Sequence, residues 1–338
     1  MSNVIDVSTP TGGRAAKPAI TRGWARLLED YTVLLPFLVV LIACIIFVPR
    51  FATAATVSDV FVNASIVAIA GAGMTLVIAL RGLDLSVGSI QGLVTCVVAT
   101  GLTTAGVAGG VAGGIAVGAI VGAINGVLVG YFRVPAFVAT LGTMGIIRGA
   151  ALLLADGGTI SADNPALEAL ATSRLLFIPT PFLFAVAVLL AAYVLLHRTP
   201  FGRHVCAVGG SPEAAADSGI RVRHVTFVVF VLSGVAAALA GVLLCGQLGS
   251  ATGSLGIGFE LQVIAVVVLG GTSLAGGAGN LIGTMIASLL LAVISSALNL
   301  LNVPSYYQYL ATGVLLIAAL AFDSGHRYLA EKHALEVR

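Results

Sequence analysis

No lysine occurs between Lys17 and Lys332, and the 338-residue chain holds sixteen basic and fourteen acidic residues against a hydrophobic fraction of 59%. So small a supply of charge cannot cover a soluble protein of this length, and the chain reads as integral to a membrane. The missing lysine also excludes a phosphate-cradling P-loop, which needs Lys followed by Ser or Thr after its last glycine. The glycine-rich "GGAGNLIGT" lacks it, so this chain is not expected to hydrolyse ATP. G-x-S-x-G and H-E-x-x-H are absent, and no close pair of acids lies at membrane depth to act as general acid and base. A membrane-embedded lipid enzyme, the third reading of such a chain, therefore lacks a catalytic cluster. The four cysteines, Cys44, Cys96, Cys206 and Cys245, show no C-x-x-C spacing and read as small buried hydrophobes. The five histidines fall at loops or helix ends without ligand spacing backed by acids, so no metal site is expected. Tryptophan occurs once, as Trp24 in "ITRGWARLLEDY", an expected interfacial helix. Aromatic faces for sugar binding are thus scarce, and high-affinity recognition of a polar solute is expected on another protein.

What fills the chain is apolar runs. Crossing roughly 30 Å of hydrocarbon takes about 20 residues, and ten stretches qualify, at about 32–49, 61–80, 88–106, 109–130, 136–155, 181–197, 225–245, 259–275, 281–300 and 307–322. They are apolar on every side and lack the alternation of a membrane barrel, so the fold class is an all-α membrane protein of ten transmembrane helices. Residues 1–30 form a cytoplasmic N-terminal segment, 31–323 the transmembrane domain and 324–338 a cytoplasmic tail. The first run lacks an A-x-A-like exit and reads as a start anchor, not a cleaved signal. With both termini inside, thirteen Lys and Arg fall in inner segments and only Arg50 and Arg174 outside, the asymmetry that retains basic loops in the cytoplasm. The localisation expected is multi-pass, in a bacterial cytoplasmic (inner) membrane. No nucleic-acid partner is expected; the bilayer is the surround.

Glycine recurs every fourth residue at 106, 110, 114, 118, 122, 126 and 130. That step keeps the glycines near one helix face, where neighbouring backbones approach closely. Contact within the chain is the favoured use, with a dimer face as the alternative. Two further glycine- and serine-rich breaks, "RGLDLSVGSIQG" at 81–92 and "GSATGSLGIGFELQ" at 249–262, open the third span from inside and the eighth from outside. Breaks on opposite sides of two halves fit an inverted repeat. Ionisable groups at membrane depth usually face an interior or a water-filled cavity. Asp84 either caps the following helix, with Ser86 and Ser89 as rivals, or lines a path; Arg148 pairs with an acid or lines the path; Glu260, followed by Gln262, suits a helix start. Asn125 bonds across helices or faces a pore. Asp84, Ser86, Asn125, Arg148, Glu260 and Gln262 are the candidates for a translocation path or its gates. No chain of spaced carboxylates is present, as proton-coupled carriers often need, which argues against self-powered transport.

Three segments leave the membrane: 1–30, the extracytoplasmic 156–180 and the cytoplasmic 198–224. The outer one carries Asp156, Asp163 and Glu168 and room for a short helix between Pro165 and Arg174; it reads equally as a docking surface or a solvated connector. In the inner one, "SPEAAADSG" has Ser211 for a cap, Pro212 for the first helical position, Glu213 for the first turn and Gly219 for the end, a helix of about two turns. By composition alone this reads as readily as a turn lying on lipid headgroups.

"EAAADSGI" resembles the E-A-A-x-x-x-G signature that permease subunits of ABC importers present to their ATPase. "ALRGLDLSVGSI", "LGTMGIIRGAALLL", "TPFGRHVCAVGGSPEAAADSGI" and "ELQVIAVVVLGGTSLAGGAGNLIGT" together resemble the ribose-type subgroup, permeases for ribose, xylose, galactose and related solutes, across about residues 30–323. Arg81 stands where that family often has glycine. The resemblance implies a permease that pairs with a second copy, in a homodimer, and receives solute from an extracytoplasmic binding protein. It is driven by an ATPase subunit with two nucleotide-binding domains; ATP and Mg bind there and no cofactor binds this chain. Ser211, Pro212, Glu213, Ala214, Ala215 and Gly219 would then form the coupling helix. The rival function is an ion-gradient-driven secondary transporter of a small polar solute. The resemblance leaves the solute open among ribose, xylose, galactose, a sugar alcohol and a furanose-like signal molecule.

Overall fold

The computed structural model describes residues 33–304 together with 306, 307, 310, 313, 314 and 317. The expected N-terminal segment with Trp24, the expected cytoplasmic tail and most of the expected span 307–322 lie outside the described residues. The first helix, α1 (Leu34–Phe47), turns Ile46 and Phe47 outward and packs Cys44 beside α11 (Leu281–Leu300). Helix α2 (Ala54–Ala79) starts seven residues earlier than its apolar run because Thr53 caps it, accepting from the Thr56 N–H at 3.3 Å. It is the core helix, buried along most of its length by α6 (Thr180–Arg198), α9 (Val222–Leu248), α10 (Phe259–Leu269) and α11.

Helix α3 (Val87–Gly130) has 44 residues, about 66 Å if straight. It is folded in two at Gly106, whose φ of 67° and ψ of −176° are open to glycine alone. Beyond the reversal Gly110 lies against Gly101 and the Val98 carbonyl, so the two arms pack side by side. The expected spans 88–106 and 109–130 are these arms.

The four-residue glycine step is the contact between the second arm and α9. Gly118 meets Gly234, Gly122 the Phe230 carbonyl, Gly126 Phe227, and Gly130 Arg223 and Thr226; Gly114 turns to Val94 and Val98 of its own first arm. The stripe is thus spent within the chain, as the favoured reading had it. A Cβ at Gly118 would run into the Gly234 carbonyl oxygen, whereas one at Gly145 on α4 (Ala136–Leu154) would meet nothing within 4 Å. Gly118→Leu is therefore expected to cost about 3 kcal/mol or more through overpacking of backbone that cannot retreat. Gly145→Ala should leave the thermal midpoint of the detergent-solubilised protein unchanged, and equal midpoints for the two variants would refute this packing.

After α4 the chain forms β1 (Thr159–Ser161), which pairs antiparallel with β4 (Ser250–Thr252), and then α5 (Pro165–Thr172). Asn164 caps α5, accepting from the Ala166 and Leu167 N–H groups, and Leu167 is fully buried against the end of α9 at Gly246. The expected short helix is there, and its docking makes 156–180 more than a solvated connector. A two-residue ladder of β2 (Arg174–Leu175) and β3 (Ile178–Pro179) leads into α6.

At the opposite end of the bundle the segment 198–224 holds two helices, α7 (Pro200–Gly210) and α8 (Pro212–Asp217). Only the second is expected from the sequence. Thr199 caps α7 by accepting the Gly202 N–H, a signal hidden by the apolar tail of α6 running directly into it. The eighth span also differs from expectation. Helix α10 ends at Leu269 instead of 275, so its 11 residues extend about 16 Å and do not cross a membrane. Glycines set that limit: Gly270 packs on the backbone of Gly283, and Gly271 has φ 90°. The turn 270–280 then closes on the α7 end of the bundle, with the Gly277 N–H donating to the Ala79 carbonyl at 2.8 Å.

Candidate functional site

Two non-helical segments enter the bundle from opposite ends. Residues 80–86 lead in from the end that bears α7, and 249–258 from the end that bears α5. They deliver the first turns of α3 and α10 against each other: Gly88 lies on the Gly256 carbonyl and the Glu260 carboxylate, and a Cβ at Gly88 or Gly256 would collide. Glycine at both positions is what lets these two helix starts touch.

Asp84, Ser86 and Asn125 are brought together in one fully buried network. Asp84 Oδ1 accepts from the Ser86 N–H at 3.0 Å and the Ser86 hydroxyl at 2.6 Å, and Oδ2 accepts from Ser233 at 2.8 Å. Asn125 donates through Nδ2 to Ser86 Oγ at 2.9 Å and accepts from Thr143 at 2.8 Å. The network ties the lead-in to the second arm of α3, to α4 and to α9. Asp84 closes the turn before α3 through a backbone N–H two residues on, a local Asx-type bond, and Ser86 makes no side-chain cap. The geometry gives Asp84, Ser86 and Asn125 a fastening role. Thr143 and Ser233 complete it; single hydroxyls in apolar helices carry no sequence signal for such a partnership.

Arg148 reaches from α4 to the other lead-in, where Nη1 donates to the carbonyls of Gly253, at 2.8 Å, and Leu255. Its charge also attracts Glu260. It therefore holds the folded lead-in that aims α10, with Gly92 leaving room beside the guanidinium. Glu260 sits in the first turn of α10, as its charge favours. Gln262 stands apart from these residues and lines a cavity of about 240 Å³ bounded by α2, α3, α9, α10 and α11.

At the α7 end, Ser211 caps α8 by accepting the Ala214 N–H at 3.2 Å, with Pro212 and Glu213 following in the first turn. The helix ends through Ile220 N–H to the Ala215 carbonyl at 3.0 Å, with Gly219 at φ 84°, the left-handed glycine termination. Glu213, Ala214, Ala216, Asp217, Ser218 and Gly219 are exposed, while Ala215 faces inward and is buried. Beside α8 opens a cavity of about 800 Å³ lined by Glu213 and by Arg133, Arg221, Arg223 and His224. Cys206, on neighbouring α7, is unpaired, and burial pushes its thiol pKa up, which keeps it protonated and inert. No group of three or more metal-ligating side chains occurs among the described residues.

Residues 56–320 match the family described as branched-chain amino acid transport system, permease component. The chain belongs to this permease family. The permease is 37% identical over 321 residues to the L-arabinose transport system permease protein of Escherichia coli K12, covering 94% of this chain and 96% of that one. It is 42% identical over 255 residues to the ribose import permease protein of Bacillus subtilis 168, 74% of this chain and 79% of that one. It is 37% identical over 279 residues to the autoinducer 2 import system permease protein of Yersinia pseudotuberculosis, 82% of this chain and 80% of that one. No solved structure matches. The permease is thus a transport subunit of an importer and not an enzyme, which bears out the resemblance and sets aside the gradient-driven alternative.

Proposed function

We propose that the permease is the membrane subunit of an ATP-driven importer that passes a monosaccharide, or a similar small polar solute, through a bacterial cytoplasmic membrane. The observation that carries this reading is the match over 94% of the chain to an L-arabinose permease, alongside relatives for ribose and autoinducer 2. Ten helices enter or span the bilayer: α1, α2, both arms of α3, α4, α6, α9, the half-helix α10, α11 and the apolar run 307–322. The basic residues Arg81, Arg133, Arg198, Arg203, Arg221 and Arg223 belong to the end that carries α7 and α8, a bias that supports reading that end as the cytoplasmic one. The two lead-ins, meeting from opposite ends at the starts of α3 and α10, fit an inverted repeat.

In this reading two copies of the permease pair, an extracytoplasmic binding protein delivers solute, and an ATPase subunit with two nucleotide-binding domains holds ATP and Mg. The α8 segment is the coupling helix: Glu213 anchors by charge, Ala214 allows close approach, Ala216 takes the part expected of Ala215, which is buried against the bundle, and Gly219 shapes the turn. Because α7 and α8 join α6 to α9 through few residues, closure of the ATPase pulls on α9. Through the Ser233 bond to Asp84 that motion reaches the lead-in and α3. Arg148 and Glu260 hold the opposing lead-in, and access alternates by rocking of packed units.

The test is uptake into proteoliposomes containing the permease, its ATPase and its binding protein. Ribose or L-arabinose should enter only with ATP and all three components. Uptake by the permease alone on an ion gradient would overturn the mechanism, and uptake of leucine in place of sugars would overturn the solute class.

A further inference from the structure

We propose that the permease itself carries a binding site for a neutral polyhydroxylated solute, built from Asn63, Gln91, Gln262, Ser295 and Asn299 around Phe259. These residues line the cavity of about 240 Å³ at the first turns of α3 and α10, several times the roughly 30 Å³ share of one water. Four carboxamides and a hydroxyl meet there, and no ionisable residue lines it. Carboxamides donate and accept at once, as do sugar hydroxyls, so each can engage adjacent hydroxyls of a polyol. Phe259, Ile66 and Leu291 supply apolar wall for the C–H faces of a ring.

The observation that points to a ligand is Gln91. It is 1% exposed, and its Nε2 has no hydrogen-bond partner among the described residues. Buried polar groups ordinarily find partners within the fold, and an amide left without one is destabilising. A glutamine kept at that cost beside an uncharged polar cavity is explained by a partner that comes and goes. On another wall of the cavity Asn63 Oδ1 already accepts from Gln247 Nε2 at 3.3 Å, so Asn63 faces a solute with its amide N–H groups. An anionic ligand fits less well, since Glu260 already supplies the negative charge that the two helix starts favour. A zwitterionic amino acid would lack a counter-charge for either end.

This inference rests on the reading of the permease as a sugar-importing subunit, and the experiment separates the two. Trp24 is the only tryptophan of this chain, so Trp24→Phe with Phe259→Trp puts an indole in the cavity wall of the permease–ATPase complex in nanodiscs, whose emission is read as the difference from the same complex carrying Trp24→Phe alone. Ribose and L-arabinose should shift its emission and leucine should not, and Gln91→Met in that background should weaken the apparent sugar affinity about tenfold. In the otherwise natural chain Gln91→Met should raise the thermal midpoint, because it removes an unpartnered buried amide, while lowering ATP-dependent sugar uptake. A structural glutamine would show the reverse on stability. Should Phe259→Trp fail to fold, slowing of maleimide labelling at Ser295→Cys by ribose replaces the emission readout. Wild-type uptake by both Gln91→Met and Gln262→Met, with no sugar-dependent emission or protection, would overturn the site and leave the importer reading intact. Sugar binding at the cavity without ATP-dependent uptake would overturn that reading and leave the site.

Discussion

Gly219→Val is expected to lower ATP-driven uptake about tenfold or more while the permease still inserts and purifies as a single species. Gly219 has φ 84°, where an L side chain is disfavoured by about 1–2 kcal/mol and a β-branched one by more. A Cβ there would meet nothing within 4 Å. Relief therefore comes by unwinding the end of α8, through loss of the Ile220 N–H to Ala215 carbonyl bond, and no core contact is disturbed. The damage is confined to the exposed face that the proposed coupling uses. Glu213→Ala tests the same face by another route, because it removes an exposed charge and leaves the Ser211 cap in place. Both variants should lose copurification with the ATPase subunit. Normal uptake and normal copurification in both would remove the coupling role from α8.

Asp84→Ala should destabilise the permease by about 3 kcal/mol or more, and Asp84→Asn by about 1 kcal/mol. The carboxylate sits at 0% exposure and accepts three hydrogen bonds. Alanine leaves the Ser86 N–H and two hydroxyls facing a void in place of their acceptor. Asparagine keeps an acceptor for Ser86, and its amide can donate to Ser233 after the hydroxyl turns. Heating the two variants in detergent and following the monodisperse fraction measures the gap between them. Equal midpoints would mean that Asp84 does not fasten the lead-in, and the path role weighed from the sequence would then return.

The apolar runs were legible because hydrocarbon thickness sets a length that a spanning helix must meet, and all nine that fall among the described residues correspond to a helix or helix arm, the first and the eighth to helices of only 14 and 11 residues. The eighth departs furthest. A run of hydrophobic residues through Gly270 and Gly271 looks continuous in composition, yet backbone contact with Gly283 ends the helix there. Helix α7 went unseen because α6 runs to Arg198 and its tail leads directly into the Thr199 cap, so no break in the sequence marks the new helix start. Of the path candidates, Gln262 lines a cavity, whereas Asp84, Ser86 and Asn125 turned inward to one another, and Arg148 to backbone carbonyls. A polar residue at membrane depth signals that it has a partner, but sequence carries no register between distant helices to say which.

By itself the sequence determined that this chain is an all-α membrane protein without an ATPase site, that its glycine ladder is a helix contact, and that Ser211 to Gly219 forms a short capped helix. Those conclusions rest on local rules: hydrocarbon length, helical period, capping chemistry and the φ that glycine permits. Tertiary structure alone decided that Gly106 folds one helix into two arms and that Gly88 and Gly256 press two helix starts together. It also decided that Asn63, Gln91, Gln262, Ser295 and Asn299 share one cavity. Each of these depends on contacts between residues far apart in the chain, where close packing and hydrogen-bond geometry select one partner among many equivalent side chains.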